Sequence, residues 1–248
     1  MEQERISTPT VDADGHTSVS SRMLQALAPG DRSIIERSCR EVPLRLGEIL
    51  VEAQNAPRNI YFPTTGVVST IARYRDGSSI EMATIGREGC TGIGIILGGN
   101  RELATQLVQA EGTALALPLA DFHRLASSLT SFKTLLTNYA QAFTYQILIS
   151  GACNGRHSLN ERLARWLLQM QDRAASARMS LTQELLAEML GVRRQSVTLA
   201  AGALQEAGLI AYRRGTVEIL DRDALKEAAC ECYDMVNIIY DQLLPQEK

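Results

Sequence analysis

Between Met189 and Ile210 the chain reads MLGVRRQSVTLAAGALQEAGLI, so that Arg193, Arg194, Gln195, Ser196 and Thr198 crowd together ahead of an alanine-rich apolar run. A guanidinium presents paired donors that match guanine O6 and N7 or the oxygens of a phosphate, and a glutamine amide matches adenine N6 and N7. This is chemistry of contact, not of bond making. No Walker-type glycine-rich loop, metal-ligand pair or convincing Ser/His/Asp set occurs elsewhere, so no catalytic residue is assigned and an enzyme is not expected. The charge supports the same chemistry. Arg156 to Arg214 holds nine arginines, no lysine and five acids, whereas the whole 248-residue chain has a formal net charge of −3. A solvated surface explains such an excess as readily as an anionic partner does.

The elements that must hold these residues are legible around them. Thr182 is suited to cap a helix whose first turn contains Glu184, with Leu181 and Leu186 placed as a hydrophobic staple. Ala187, Gly191, Val197 and Ala200 follow at offsets of four, ten and thirteen: a small residue at a helix crossing, a glycine free to turn, and two apolar contacts. This is helix-turn-helix spacing. Arg193 and Arg194 then open the second helix, and Val197, Ala201 and Leu204 form its inward face. Gly208 stops that helix. LIAYRRGTVEIL reads as a hairpin turning at Arg214-Gly215, a wing that sets Arg213 and Arg214 beside a phosphate strand. The reading that competes with DNA binding is a winged helix that recruits a protein, and steep salt dependence of duplex binding separates the two.

Upstream, short apolar segments broken by turn signals from Glu41 to Leu119, with Asp76-Gly77 as one hairpin, predict a sandwich or barrel. The first 24 residues read as a flexible tail. Residues 130–156 read as a long helix, with Phe132, Leu136, Tyr139, Phe143 and Gln146 in a four-three stripe able to pack on its own domain or on a twin helix. Ser158 and Glu161 form a capping box ahead of a helix carrying Leu163, Trp166, Leu167 and Met170. Beyond the wing, Asp221 caps one expected helix with Leu225, Ala228, Cys232, Met235, Ile239 and Leu243 on one stripe. Cys230 and Cys232 would diverge by about 200° on it and so would not share a metal unless the helix unwound. His16, His123 and His157 make no metal motif, and no metal or cofactor is assigned. Five scattered cysteines and a polar N-terminus without a signal-like apolar stretch lead us to expect a cytoplasmic protein away from membranes.

With these residues in view, the chain resembles the Crp/Fnr family of bacterial transcription regulators over about residues 25 to 221. NIYFPTTGVVS and GSSIEMATIGREG are the recognisable pieces of a cyclic-nucleotide-binding-like roll, and LTQELLAEMLGVRRQSV is the most specific part. The resemblance implies an α+β chain: an antiparallel jelly-roll-like sensor at 25–129, a dimerisation helix at 130–156, a winged helix-turn-helix at 157–221 and a terminal helix at 222–248. It implies a homodimer on palindromic double-stranded DNA, with RNA polymerase as a further partner and an effector that is unidentified or absent. The five-residue stripe from Phe132 to Gln146 is then assigned to the dimer interface. The family's guanine-reading arginine matches Arg194; Gln195 and Leu199 replace other base-contacting residues, Arg193 and Ser196 fall at phosphate-contacting positions, and Thr182 joins the DNA-facing set. The family's cyclic AMP cassette, a Gly-Glu and an Arg-Ser pair, is missing from GCTGIGIILGGNRELATQLVQA, where Arg101 beside Glu102 reads as a solvated turn. The N-terminal cysteines of the family's iron–sulfur members are missing too, since only Cys39 precedes Cys90.

Overall fold

The alternating segments fold as two antiparallel sheets packed face to face. A computed structural model describes residues 21–174 and 178–244. Two helices, α1 (Arg22–Gln25) and α2 (Pro29–Arg37), lead into β1 (Arg40–Leu44), β2 (Ile49–Val51), β3 (Asn59–Pro63), β4 (Val67–Arg73) and β5 (Ser79–Ile85). A short helix α3 (Ile93–Ile96) precedes β6 (Thr105–Ala110) and β7 (Gly112–Pro118). The strand orders are β1-β7-β3 and β2-β6-β4-β5, all pairs antiparallel. Ile60, Phe62, Val68, Ile85, Val108, Leu115 and Leu117 fill the space between the sheets. Asp76-Gly77 makes the β4–β5 turn, with Gly77 at φ +86° and the Asp76 carboxylate accepting from Ser78 N at 3.0 Å. Most of the expected tail lies outside the described residues, as does His16, but its last residues do not behave as a tail. Met23 and Leu24 are buried in the roll's core, and Met23 N donates to Arg87 O at 2.9 Å.

After α4 (Leu119–Ser128) comes α5 (Thr130–Arg156), the long helix over the expected span. Its apolar stripe, however, faces inward: Phe132, Leu136, Tyr139, Phe143 and Gln146 are all at most 4% exposed in the single chain. These five cannot meet a second copy, which corrects their assignment to a dimer interface. The cause is local. β5 and α3 lie against this side of α5, and Tyr139 OH donates to Cys90 O at 2.7 Å while Gln146 Nε2 donates to Thr84 O at 3.1 Å.

Next come α6 (Leu159–Ala174), β8 (Arg178–Ser180), α7 (Gln183–Leu190), α8 (Arg194–Glu206), β9 (Ile210–Arg213) and β10 (Thr216–Ile219). The Ser158–Glu161 box closes as expected, with Ser158 N donating to Glu161 Oε2 at 2.8 Å. The single terminal helix does not form. The chain makes α9 (Arg222–Ala228), turns at an extended Ala229 (ψ 157°), and restarts as α10 (Cys232–Leu243). The break shifts the phase, so Tyr233, Val236 and Tyr240 join the expected Leu225 and Cys232 as buried residues against α5 and α6, while the expected Met235, Ile239 and Leu243 are only partly buried. Cys230 is buried as well.

The two halves meet at α6. Glu81 of β5 accepts from Trp166 Nε1 at 2.6 Å and from Ser69 Oγ at 2.5 Å. Burial pushes its carboxyl up to about 7, against the opposite pull of Ser69, Trp166, Arg165 and Arg173. With the folded value above the unfolded one of about 4.5, the native state holds this proton where the unfolded chain has lost it. Glu81 therefore contributes stability that is full below about 4.5 and is lost as pH rises through about 7. Replacing Glu81 by Gln keeps one acceptor and one donor. Its stability relative to the native chain should rise by roughly 1–3 kcal/mol between about pH 5 and pH 8. Denaturant melts of both proteins across that range check this; a constant difference would refute it.

Candidate nucleic-acid interface

Thr182 caps α7, its Oγ1 accepting from Leu185 N at 3.2 Å, and Leu181 and Leu186 are buried as a staple. Gly191 ends α7 at φ +65°, a left-handed turn suited to glycine, and an added Cβ would stand 3.1 Å from Ile80 Cδ1. Arg193 is the N-cap of α8 and Arg194 its first residue. Val197, Ala200, Ala201 and Leu204 are buried beneath α8, and Arg193, Arg194, Gln195, Thr198 and Leu199 are exposed on its N-terminal half. Ser196 is half-buried. Leu199, 77% exposed, offers methyl groups and no charge at a position where an aliphatic side chain can meet only another apolar group.

The exposed groups are held, not loose. Arg194 Nη1 lies 2.9 Å from Glu184 Oε1, and Thr198 Oγ1 donates to Gln183 Oε1 at 2.8 Å. The Arg194–Glu184 pair is exposed, worth about 0–1 kcal/mol, so it orients the guanidinium and yields easily to a better acceptor. The wing is a three-stranded sheet in the order β8-β10-β9, with Arg214 at φ +51° and Gly215 at φ +77° at its tip, the two positive angles of a tight hairpin turn. Tyr212 OH donates to Leu181 O at 2.7 Å and ties the wing to the start of α7. Burial pushes that phenol up to about 12. Arg213 and Arg214 project from the tip. Between wing and α8 runs an open groove of about 520 Å3, lined by Thr182, Arg194, Thr198, Gln205 and Arg214 among others.

The structure brings together every expected residue of this set: Thr182, Arg193, Arg194, Gln195, Ser196, Thr198, Leu199, Arg213 and Arg214 lie along α7's start, α8 and the wing. Not all nine arginines between Arg156 and Arg214 reach the surface. Arg162, Arg165 and Arg173 are buried in α6, so three of the nine contribute nothing to a surface footprint. They hold structure instead. Arg162 Nη2 donates to Leu190 O at 2.5 Å, finishing the C-terminus of α7, and Arg173 pairs with Glu88 of the roll at 2.8 Å. Reasoning from sequence also missed that Ser79 of β5 hydrogen-bonds Glu188 of α7. No local pattern announces such a contact, since the partners are 109 residues apart.

A family model described as a cyclic nucleotide-binding domain matches residues 41–128, and one described as a Crp-like helix-turn-helix domain matches 161–228. No match was found among curated protein sequences. Among solved structures, FixK2 from Bradyrhizobium japonicum is similar at 17% identity and a TM-score of 0.66, covering 77% of this chain and 98% of its own. A CRP/FNR-family regulator from Thermus thermophilus aligns at 18% identity and a TM-score of 0.61, covering 77% and 98%. The c-di-GMP-responsive regulator CLP of Xanthomonas campestris aligns at 14% identity and 0.60, covering 77% and 99%. A nucleotide-binding-type roll and a Crp-like helix-turn-helix, joined by one long helix in the architecture these regulators share, make this chain a member of the Crp/Fnr family of transcription regulators.

Proposed function

We propose that the chain is a sequence-specific DNA reader acting as a homodimer, with residues 25–129 as sensor, 130–156 as dimerisation helix and 157–221 as DNA-binding domain. The observation that carries this is the two-sided α8: a buried apolar face, and an exposed N-terminal half bearing Arg193, Arg194 and Gln195 beside the wing's Arg213 and Arg214. In this geometry Arg194 and Gln195 read base edges, Leu199 meets a thymine methyl, and Arg193, Ser196, Thr182 and the wing arginines fix register on phosphates. Selection of bound duplexes from a random library tests it, the expected result being a two-fold-symmetric site. Arg194→Ala should cost about 1–3 kcal/mol of discrimination at one base pair per half-site, while Arg214→Ala should weaken all sequences alike and lower the salt slope. No enrichment by a confirmed dimer, with or without added metabolites, would favour a protein partner.

The face of α5 left open supports the dimer. Thr134, Thr137, Gln141, Thr144, Leu148, Gly151 and Gly155 are exposed and recur at alternating spacings of three and four, the seam of a coiled coil. Among the described residues nothing lies within 4 Å of where a Cβ would stand on Gly151 or Gly155, so a second helix can approach closely there. Ile96 and Leu97 flank the seam and complete an apolar groove of about 420 Å3. Leu148→Glu should convert dimer to monomer by sedimentation equilibrium, whereas Phe143→Ala should lower the melting temperature and leave association intact. A dimeric Leu148→Glu protein would move the interface elsewhere.

The sensor does not take cyclic AMP on this reading. Within the stretch corresponding to the family's cassette, Glu102 is fully buried, near the Gly94 and Ile95 backbone amides, and burial holds its carboxyl above the ordinary range. Arg101, the neighbouring cation, is exposed and donates to Gln54 O at 3.1 Å. An inward acid and an outward base are the reverse of what a cyclic phosphate needs. Calorimetry with cyclic AMP should give no specific heat, and specific micromolar binding would refute this part alone.

A further inference from the structure

The break between α9 and α10 has no local cause. Glu227-Ala228-Ala229-Cys230-Glu231-Cys232 contains neither proline nor glycine, and alanine and glutamate favour an unbroken helix. The turn at Ala229 brings Cys230 and Cys232 onto one side, where they meet Cys153 of α5's last turns and His157, the residue that closes α5. The three sulfurs and one imidazole nitrogen all lie within 4.8 Å of one another. Cys153 Sγ and Cys230 Sγ are 3.5 Å apart, and Cys232 Sγ is 3.7 Å from His157 Nδ1. With metal bonds of about 2.3 Å to sulfur and about 2.0–2.1 Å to nitrogen, a tetrahedral zinc site separates its ligand atoms by roughly 3.5–3.8 Å.

Two surrounding features fit the same chemistry. His157 Nε2 is 3.1 Å from Glu231 Oε2, so Nε2–H donates to the carboxylate and Nδ1 turns its lone pair to the sulfurs, the outer-shell arrangement of a metal-bound histidine. Arg165 acts electrostatically on all three thiols, and Arg162 on two of them. Three thiolates and one divalent cation carry a net charge of −1, which a buried guanidinium offsets.

We propose that Cys153, His157, Cys230 and Cys232 bind one thiophilic divalent cation of the zinc type in a closed tetrahedral site. Four protein ligands leave no open position, so the ion is structural. The ion takes its cysteine ligands as thiolates and its histidine neutral, so binding displaces whatever protons those thiols carry. It fastens the C-terminal helix pair to the junction where α5 hands over to α6, and so fixes the angle at which the DNA-binding domain leaves the long helix. The convergence corrects the expectation that Cys230 and Cys232 diverge on one helix and that His157 belongs to no metal motif.

The test uses the full chain. Elemental analysis of protein purified from zinc-containing medium should give one zinc per chain, and Co2+ titrated into the metal-free chain should develop tetrahedral ligand-field and thiolate charge-transfer absorption that saturates at one equivalent. Cys230→Ser and His157→Ala should abolish the stoichiometric binding, Glu231→Gln should weaken it about 10–100-fold, and Cys39→Ser should leave it unchanged. If a ligand variant fails to fold, the Co2+ titration of the native chain decides. No Co2+ spectrum, bound iron with acid-labile sulfide, or a mass lower by two hydrogens from a Cys153–Cys230 disulfide would each overturn the proposal.

Discussion

A guanidinium buried away from water must be paired, and Arg173, 5% exposed, finds its partners on elements that are remote in sequence. Its Nε meets Glu88 after β5 at 2.8 Å, and its Nη2 donates at 3.1 Å to Gln146 Oε1 on α5, an oxygen that also accepts from Tyr240 of α10 at 2.8 Å. One charge thus ties together the roll, α5, α6 and α10. The fit is tight: a Cβ on Gly86 would lie 2.5 Å from Arg173 Cβ. Packing of apolar faces alone would tolerate small slides between these elements; a buried ion pair with two shared hydrogen bonds tolerates far fewer.

That constraint explains which parts of the chain the sequence reveals. The helix-turn-helix is local: cap, staple, glycine turn and apolar spacing lie within some twenty residues, and the expected residues fall where their types and intervals put them. The long helix is legible in extent but not in facing. The Phe132 to Gln146 stripe and the Thr134 to Gly155 stripe are both helical in period, and only the position of β5 and α3 decides that the first is the core. By pattern alone Phe132 and Phe143 suit a core or a twin helix equally, and the threonines and glycines of the outer stripe carry no apolar signal. The break at Ala229 is invisible locally, because the residues that hold Cys230 and Cys232 in place are some 75 positions earlier. The buried arginines are misread for a related reason. Charge type is written in the sequence, but burial depends on partners that only folding supplies: Leu190 O for Arg162, Gln169 Oε1 for Arg165, and Glu88 and Gln146 for Arg173.

Helix α6 is where these long-range contacts collect. From its N-terminal end, Arg162 finishes α7; from the middle, Trp166 reaches Glu81 of the roll; at the far end, Arg173 meets Glu88, and Arg222 of α9 bonds Gln171 and Asp172. A helix whose buried face alternates apolar packing with these polar contacts has few neighbouring positions of comparable energy, since each shift leaves a buried donor or acceptor without its partner.

The orientation of α8 follows from this anchoring. The apolar side of α8 rests on α6, and α7 is held from the roll by Glu188 with Ser79 and by Ile80 against Gly191. Ser79 and Ile80 begin the strand that also carries Glu81, so one short segment of the sensor touches both the first helix of the DNA-binding unit and the helix beneath it. A change in the roll that displaces β5 either strains the Glu81–Trp166 and Ser79–Glu188 bonds or carries α6 and α7 with it. Breaking takes the acceptor from the Trp166 indole N–H, at about 1–3 kcal/mol; Glu81 keeps its bond from Ser69, and moving α6 disturbs the Arg173 bonds to Glu88 and Gln146. The roll and α8 are therefore coupled through α6 and α7, and the open face of α5 lies outside that set of contacts.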